Sequence, residues 1–247
     1  MTPVLVAASA YGADLVRRVG HADLVHMVAN AGAAGLEIRR ELFDGPQDLQ
    51  ALRALIARHR LFSVYSAPFE LFGTDGRFDR DQIDLAMNEA EQVGARYLKV
   101  SLGHFSGASD LQNLLRYLAQ APVEVLLEND QTAQGGRLEP IVSFLSLCTG
   151  NGYTFGLTFD IGNWRWNGVD PELAARTLAP HVRYVHCKGV RDDHGKLKAV
   201  PLEAQDTYWP SLMSHFPQGI QRAIEFPLVG SDLEEVTRRY VALLATV

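Results

Sequence analysis

Four short apolar runs in this sequence each carry, at or near their ends, a group able to bind a cation or move a proton. "EVLLEN" (124–129) holds Glu128 and "FGLTFD" (155–160) ends on Asp160. "VRYVHCK" (182–188) holds His186 with Lys188 two residues on, and "RAIEFPL" (222–228) holds Glu225. Taken singly, each has an ordinary reading. A strand-end glutamate is commonly solvated, a lone histidine is commonly a hydrogen-bonding residue, and Asp160 ahead of Gly162 and Asn163 could open a turn. Taken together, buried carboxylates gathered without a countercharge would repel and shift their proton affinities, and a bound divalent ion resolves this most simply. Oxygen-rich ligation with one imidazole suits Mn2+, Co2+ or Mg2+, with Zn2+ a further option.

Such groups need elements that bring them together, and one rhythm runs through the chain. Four earlier strand-like runs, "VLVAAS" (4–9), "GLEIRR" (35–40), "FSVYSA" (62–67) and "YLKVSL" (97–102), precede the four above. Between them, Leu49, Leu52 and Ile56 mark one apolar helical face, and Ile83, Met87 and Ala90 another. Asp170 before Pro171 predicts a helix start, and Ser231 with Glu234 predicts a capping box on the last helix. Gly20, Gly32 and Gly94 stand where helices could stop. Strands alternating with helices imply parallel pairing, and eight repeats in 247 residues predict a closed (β/α)8 TIM barrel, with residues 1–247 as a single domain. The competing open doubly wound sheet would show a glycine-rich phosphate loop after its first strand, where this chain has "SAYGAD". In a barrel the chemistry sits at the C-terminal strand ends, so strands five to eight would place their polar residues side by side. Alternation along each strand points Glu128 inward and Leu127 outward, and makes Cys187 a packed residue rather than a nucleophile.

"VLLEND", "TFDIGNW", "VHCKGV" and "AIEFPL" together resemble the successive strand motifs of the xylose-isomerase-like sugar-phosphate isomerase/epimerase superfamily, and "GLEIRREL" resembles its early Gly-x-Glu strand. The resemblance covers essentially the whole chain. "ENDQTAQGG" and "FDIGNWRW" are most similar to epimerases associated with bacterial 2-ketogluconate use. The resemblance implies Glu128, Asp160, His186 and Glu225 as ligands of one divalent ion, and Glu128 and Glu225 as acid and base on opposite faces of a sugar, sugar phosphate or keto-acid. That division matches the chemistry required: polarise a carbonyl and its neighbouring hydroxyl, remove the proton between them, and return one to the enediolate.

Several residues are expected around that centre. Lys188 could stabilise an enediolate or simply pair with Asp160. Trp164 and Trp166, with Asn163, follow the sixth strand and could wall or cover a sugar. Arg191, in the loop "RDDHGKLK", could meet a phosphate or carboxylate; Arg39 and Glu37 share a face on strand two, and Lys99 and Ser101 one on strand four, from which they could contact substrate. "NDQTAQGG" reads as a flexible covering loop. A many-metal nuclease of the same barrel type is disfavoured: Ser66-Ala67-Pro68 and Asn163 stand where that branch has histidines, and His104 is an isolated candidate. A metal-dependent dehydratase of the inosose or dehydroshikimate kind, using similar ligands, remains the alternative; a non-catalytic sugar-binding barrel would be expected to have a broken ligand set.

The totals set the boundaries. A net charge of -6 argues against a nucleic-acid partner. No apolar run approaches the roughly 20 residues that span a bilayer. Two cysteines and no basic segment before the first apolar stretch predict a cytoplasmic protein without a disulfide framework. A homodimer fits the resembling family.

Overall fold

The computed structural model describes residues 2–107 and 109–246. Eight parallel strands close a barrel: β1 (Val4–Ala7), β2 (Gly35–Arg39), β3 (Phe62–Phe72), β4 (Tyr97–Gly103), β5 (Glu124–Glu128), β6 (Gly156–Asp160), β7 (Val182–Cys187) and, last in the ring, β10 (Gln221–Ile224). β10 pairs with both β7 and β1, which completes the closure. Helices α1 (Ala13–Asn30), α2 (Leu49–Arg58), α3 (Arg80–Val93), α4 (Leu111–Leu118), α5 (Leu138–Gly150), α6 (Pro171–Leu178), α7 (Tyr208–Met213) and α8 (Leu233–Leu244) lie between or after the strands. Among the described residues no helix is long and apolar enough to cross a membrane.

The side-chain alternation that predicted an inner and an outer face is realised. Leu5, Val64, Tyr97, Leu126, Tyr184 and Ala223 form a small inner cluster that plugs the lumen. Their neighbours, Leu127 and Cys187 among them, belong to the larger core between strands and helices. Beyond the inner layer, two residues further along, come Lys99, Glu128 and His186. Apolar filling below leaves a stable core, and the polar groups lie above it at the C-terminal strand ends.

Aspartates start most of the helices. Asp48, Asp79, Asp110, Asp170 and Asp232 each accept a backbone N–H of the first turn, satisfying one of the donors the helix leaves unpaired. The last of these corrects the expected capping box: Asp232, not Ser231, caps α8, because its carboxylate reaches the Glu235 N–H at 3.0 Å. Gly94 ends α3 in the left-handed region (φ 67°), and Gly20 breaks α1 (φ 78°) before it resumes at His21.

Most strand ends shift by a residue or two from the sequence reading, and three departures matter for the site. β3 runs on past Ser66-Ala67-Pro68 to Phe72, through a register shift between Ser66 and Glu70 that accommodates a proline lacking an N–H. β10 stops at Ile224, so Glu225 lies just beyond it, held by its N–H to the Cys187 carbonyl at 3.1 Å. The segment taken as a loop after β7 is an antiparallel hairpin, β8 (Gly189–Asp193) and β9 (Lys196–Val200). Its two tip residues, His194 and Gly195, both have positive φ (53° and 81°), as the tightest hairpin loops require.

Candidate metal and acid-base site

β5, β6, β7 and β10 are adjacent in the ring, and their ends bring four of the expected residues to one place. One ligand atom from each of Glu128, Asp160, His186 and Glu225 lies within 4.8 Å of the others. Among the described residues no other group of three or more His, Cys, Asp or Glu side chains converges in this way. Asp160 and His186 are fully buried, while Glu128 and Glu225, from the two outer strands of the four, keep 14% and 11% of their side-chain surface. His186 presents Nδ1 to the cluster, 2.9 Å from Glu128, 3.0 Å from Glu225 and 3.8 Å from Asp160.

Each acid is anchored on one side. Asp160 Oδ1 accepts the N–H groups of Gly162 (2.8 Å) and Asn163 (2.9 Å) as the chain turns out of β6. That leaves Oδ2 toward the cluster. Lys99 Nζ donates to Glu128 Oε2 at 2.8 Å, leaving Oε1 free to face His186. Arg39 donates to Glu225 Oε1 at 2.7 Å and Lys188 to its Oε2 at 2.8 Å. Lys188 Nζ is also 2.8 Å from Asp160 Oδ2.

These cations correct one step of the sequence argument. The buried carboxylates are not without countercharge, since Arg39, Lys99 and Lys188 stand among them. The case for a metal rests instead on individual atoms. Glu128 Oε1, Asp160 Oδ2 and His186 Nδ1 are buried and make no hydrogen bond of proper geometry, although such groups are normally satisfied. Five other buried side-chain atoms among the described residues share that condition, Glu37 Oε1 included, but these three belong to the residues of the converging cluster. Hard oxygens plus one imidazole nitrogen, within 4.8 Å of one another, suit a divalent ion.

Proton affinities respond to the same crowding. Burial works to raise the Glu128 carboxyl, but Lys99 and then His186 outweigh it and hold it at about 2. Burial likewise disfavours ionised Glu225, yet His186 and Lys188 push it well below the usual carboxylate range. Asp160 is raised, because burial exceeds the pull of Lys188. Burial opposes a charge on His186, but Glu225 and Glu37 raise it well above its ordinary value. A proton on Nδ1 and a divalent ion therefore compete for one position.

The xylose isomerase-like TIM barrel family matches residues 25–219 of the chain. The chain belongs to that family. No curated protein sequence matches it. Among solved structures, the IOLI protein with a binding zinc atom is similar over 98% of this chain and 97% of that one, at 15% identity and a TM-score of 0.72. The probable 3-DHS dehydratase AsbF of petrobactin synthesis from Bacillus anthracis is similar over 99% of each chain (14% identity, TM-score 0.69). D-psicose 3-epimerase from Clostridium cellulolyticum H10 is similar over 99% of this chain and 97% of that one (14% identity, TM-score 0.66).

Within this xylose isomerase-like barrel the remaining expected residues divide. Lys99, Arg39 and Lys188 reach the acids, as described. Trp164 does not wall the mouth: it is fully buried, packed on Phe159 at 5.5 Å, because the turn after Asp160 folds it under the loop. Trp166 is half-buried and is the member of the pair with accessible surface. Asn163 is also reassigned. It is 5% exposed, donates to the Asn129 carbonyl (2.9 Å) and accepts from Gln131 (3.0 Å), so it ties the β5 and β6 loops together. Arg191 is exposed on the hairpin, opposite Lys198. The loop 129–136 is closed on itself, Asp130 Oδ1 accepting both the N–H and hydroxyl of Thr132, rather than a loose cover. His104 is 3.9 Å from Glu70, outside the converging group.

Two further buried positions bear on the site: Glu37, expected only as a substrate contact beside Arg39, and His21, which the sequence did not single out. Glu37 on β2 is fully buried and contacts His186 across the lumen at 2.6 Å; an acid between Leu36 and Ile38 was its signal. His21, buried against Phe43, accepts the Arg39 N–H at 3.2 Å. Burial pushes His21 down from 6.5 to about 4. The unfolded chain therefore binds the extra proton between those values, and stability rises with pH through that window. Acidifying from pH 7 to 4.5 is expected to remove about 2–3 kcal/mol through this residue. Urea unfolding at both pH values checks it: His21→Gln should lose that much less than the unmodified chain, and equal losses would refute the assignment.

Proposed function

We propose that the chain is a divalent-metal-dependent isomerase or epimerase of a small sugar, sugar phosphate or sugar acid, with residues 1–247 acting as one barrel domain. The observation that carries this reading is the convergence of Glu128, Asp160, His186 and Glu225 at the mouth, with two glutamates flanking a buried aspartate and histidine. Bound there, a Mn2+, Co2+, Mg2+ or Zn2+ ion supplies a Lewis acid that polarises a carbonyl and orients the adjacent hydroxyl.

The protein groups do the proton work. Glu128 and Glu225 come from strands on either side of β6 and β7, so they approach a molecule seated over Asp160 and His186 from two sides. One takes the proton from the carbon beside the carbonyl and the other delivers a proton to the resulting enediolate. Both are ionised at neutral pH for the reasons given above, so one must gain its proton from substrate or solvent before it can act as acid. Lys188, between Asp160 and Glu225, is placed to steady negative charge developing on a substrate oxygen. Trp166 offers a ring against the C–H face of a sugar.

A dehydratase is the second reading. The likeness to the Bacillus anthracis protein supports it as much as the likeness to the psicose epimerase supports the first. The same base would start either reaction. Keto-sugars, keto-acids and their phosphates, incubated with metal in D2O, separate the outcomes. Deuterium on the carbon next to the carbonyl, in recovered substrate and in an isomeric product, is the expected result. A product lacking the elements of water transfers the site to dehydration. No exchange and no turnover across the whole panel would reject both.

A further inference from the structure

We propose that Glu37 is the positioning residue of this site, holding His186 in the tautomer that can bind a metal and, through Lys99, holding Glu128 in place. The assignment rests on the metal reading above and concerns a residue outside the four converging ligands. Glu37 sits on β2, three steps round the ring from β7, and crosses the lumen with none of its surface exposed. Burying a carboxylate so completely is unfavourable unless it is closely partnered.

Its two oxygens serve two different parts of the centre. Oε2 is 2.6 Å from His186 Nε2. A carboxylate can only accept, so Nε2 carries the hydrogen, and in the neutral ring Nδ1 is left with its lone pair toward Glu128, Asp160 and Glu225. Oε1 forms an ion pair with Lys99 Nζ at 3.0 Å, without hydrogen-bond geometry, and Lys99 donates to Glu128 Oε2 at 2.8 Å. That leaves Glu128 Oε1 as the oxygen presented to the cluster. Arg39, 3.7 Å from Oε1, adds a third contact and itself holds Glu225. One carboxylate thus joins a metal-facing nitrogen and both candidate acid-base groups.

Glu37→Gln separates this role from simple packing. Glutamine is nearly the same size but has one acceptor for two donors. If its oxygen serves Lys99, its amide N–H faces His186 Nε2 and forces the ring hydrogen onto Nδ1, the atom that must stay free. If its oxygen serves His186, its N–H faces the Lys99 ammonium and Glu128 loses its anchor. Co2+ titration, followed by visible absorption and calorimetry, reads both consequences. The variant, folded by circular dichroism, is expected to bind Co2+ about 10- to 100-fold more weakly with an altered absorption band. Glu37→Asp, which keeps the charge but is too short to reach both partners, is expected to move the same way. Unchanged Co2+ affinity and spectrum in the folded variants overturn the assignment alone. Failure of the unmodified chain to bind Co2+ overturns the metal reading and this assignment with it.

Discussion

Replacing Glu225 by glutamine is expected to lower kcat by about 10²- to 10⁴-fold while leaving the barrel folded. The range is what one positioned acid or base ordinarily contributes. The side chain sits past the end of β10 at the mouth, so no apolar core is disturbed, and its N–H bond to the Cys187 carbonyl does not depend on the carboxylate. What changes is the charge. Arg39 and Lys188 both donate to this carboxylate. An amide can accept from one while presenting its own N–H to the other. The lysine retains Asp160, and Arg39 retains Glu41 at 2.8 Å, so neither cation is stranded. Steady-state kinetics on whichever substrate the panel identifies, with circular dichroism and thermal unfolding alongside, checks the expectation. Near-normal kcat in a folded variant would remove Glu225 from the proton transfer.

Replacing Asp160 by asparagine is expected to weaken divalent metal binding at least about a hundredfold, roughly 3 kcal/mol, again without unfolding the chain. The substitution is selective because the two oxygens of Asp160 have separate duties. Oδ1 accepts the Gly162 and Asn163 N–H groups, and an amide oxygen can do the same. The loop also remains tied by the Asn129 side chain, which brackets the Asp160 peptide with hydrogen bonds of 2.8 and 3.0 Å. Oδ2, in contrast, faces the cluster, in an ion pair with Lys188 at 2.8 Å that lacks hydrogen-bond geometry. An NH2 group there points a donor at the place a cation should occupy and at the Lys188 ammonium. Calorimetric titration with Mn2+ reads the loss. Unchanged affinity would mean that Asp160 is a turn residue and no more.

The framework was legible because a (β/α)8 barrel writes its strands plainly. Parallel strands covered by helices on one side and filled on the other read as short apolar runs, and each of the eight runs overlaps one barrel strand. Period-two alternation then carried Glu128 and His186 inward with no further information. Other features depended on contacts between residues far apart in sequence. Glu37 could be seen as a polar residue on an apolar strand, but its bond to His186 exists only once the ring is closed. Lys188 pairs with Asp160, one of the two roles its position suggests, but the pairing of Arg39 with Glu225 and of Lys99 with Glu128, which removes the simplest argument for a metal, needed the distances. Trp164 and Asn163 illustrate the same limit in reverse. Their position after β6 suggested a lid, whereas the direction of one tight turn sent one under the loop and spent the other on tying two loops together. The β8–β9 hairpin was missed because its charged, exposed face and His194-Gly195 tip resemble a solvated loop more than a strand pair.

Metal stoichiometry tests the central claim most directly. The chain, stripped with a chelator and dialysed against Mn2+ or Co2+, is expected to hold one ion per chain by elemental analysis, and Asp160→Asn treated in the same way is expected to hold almost none. An unmodified chain that takes up neither of these ions, nor Mg2+ or Zn2+, would contradict the account.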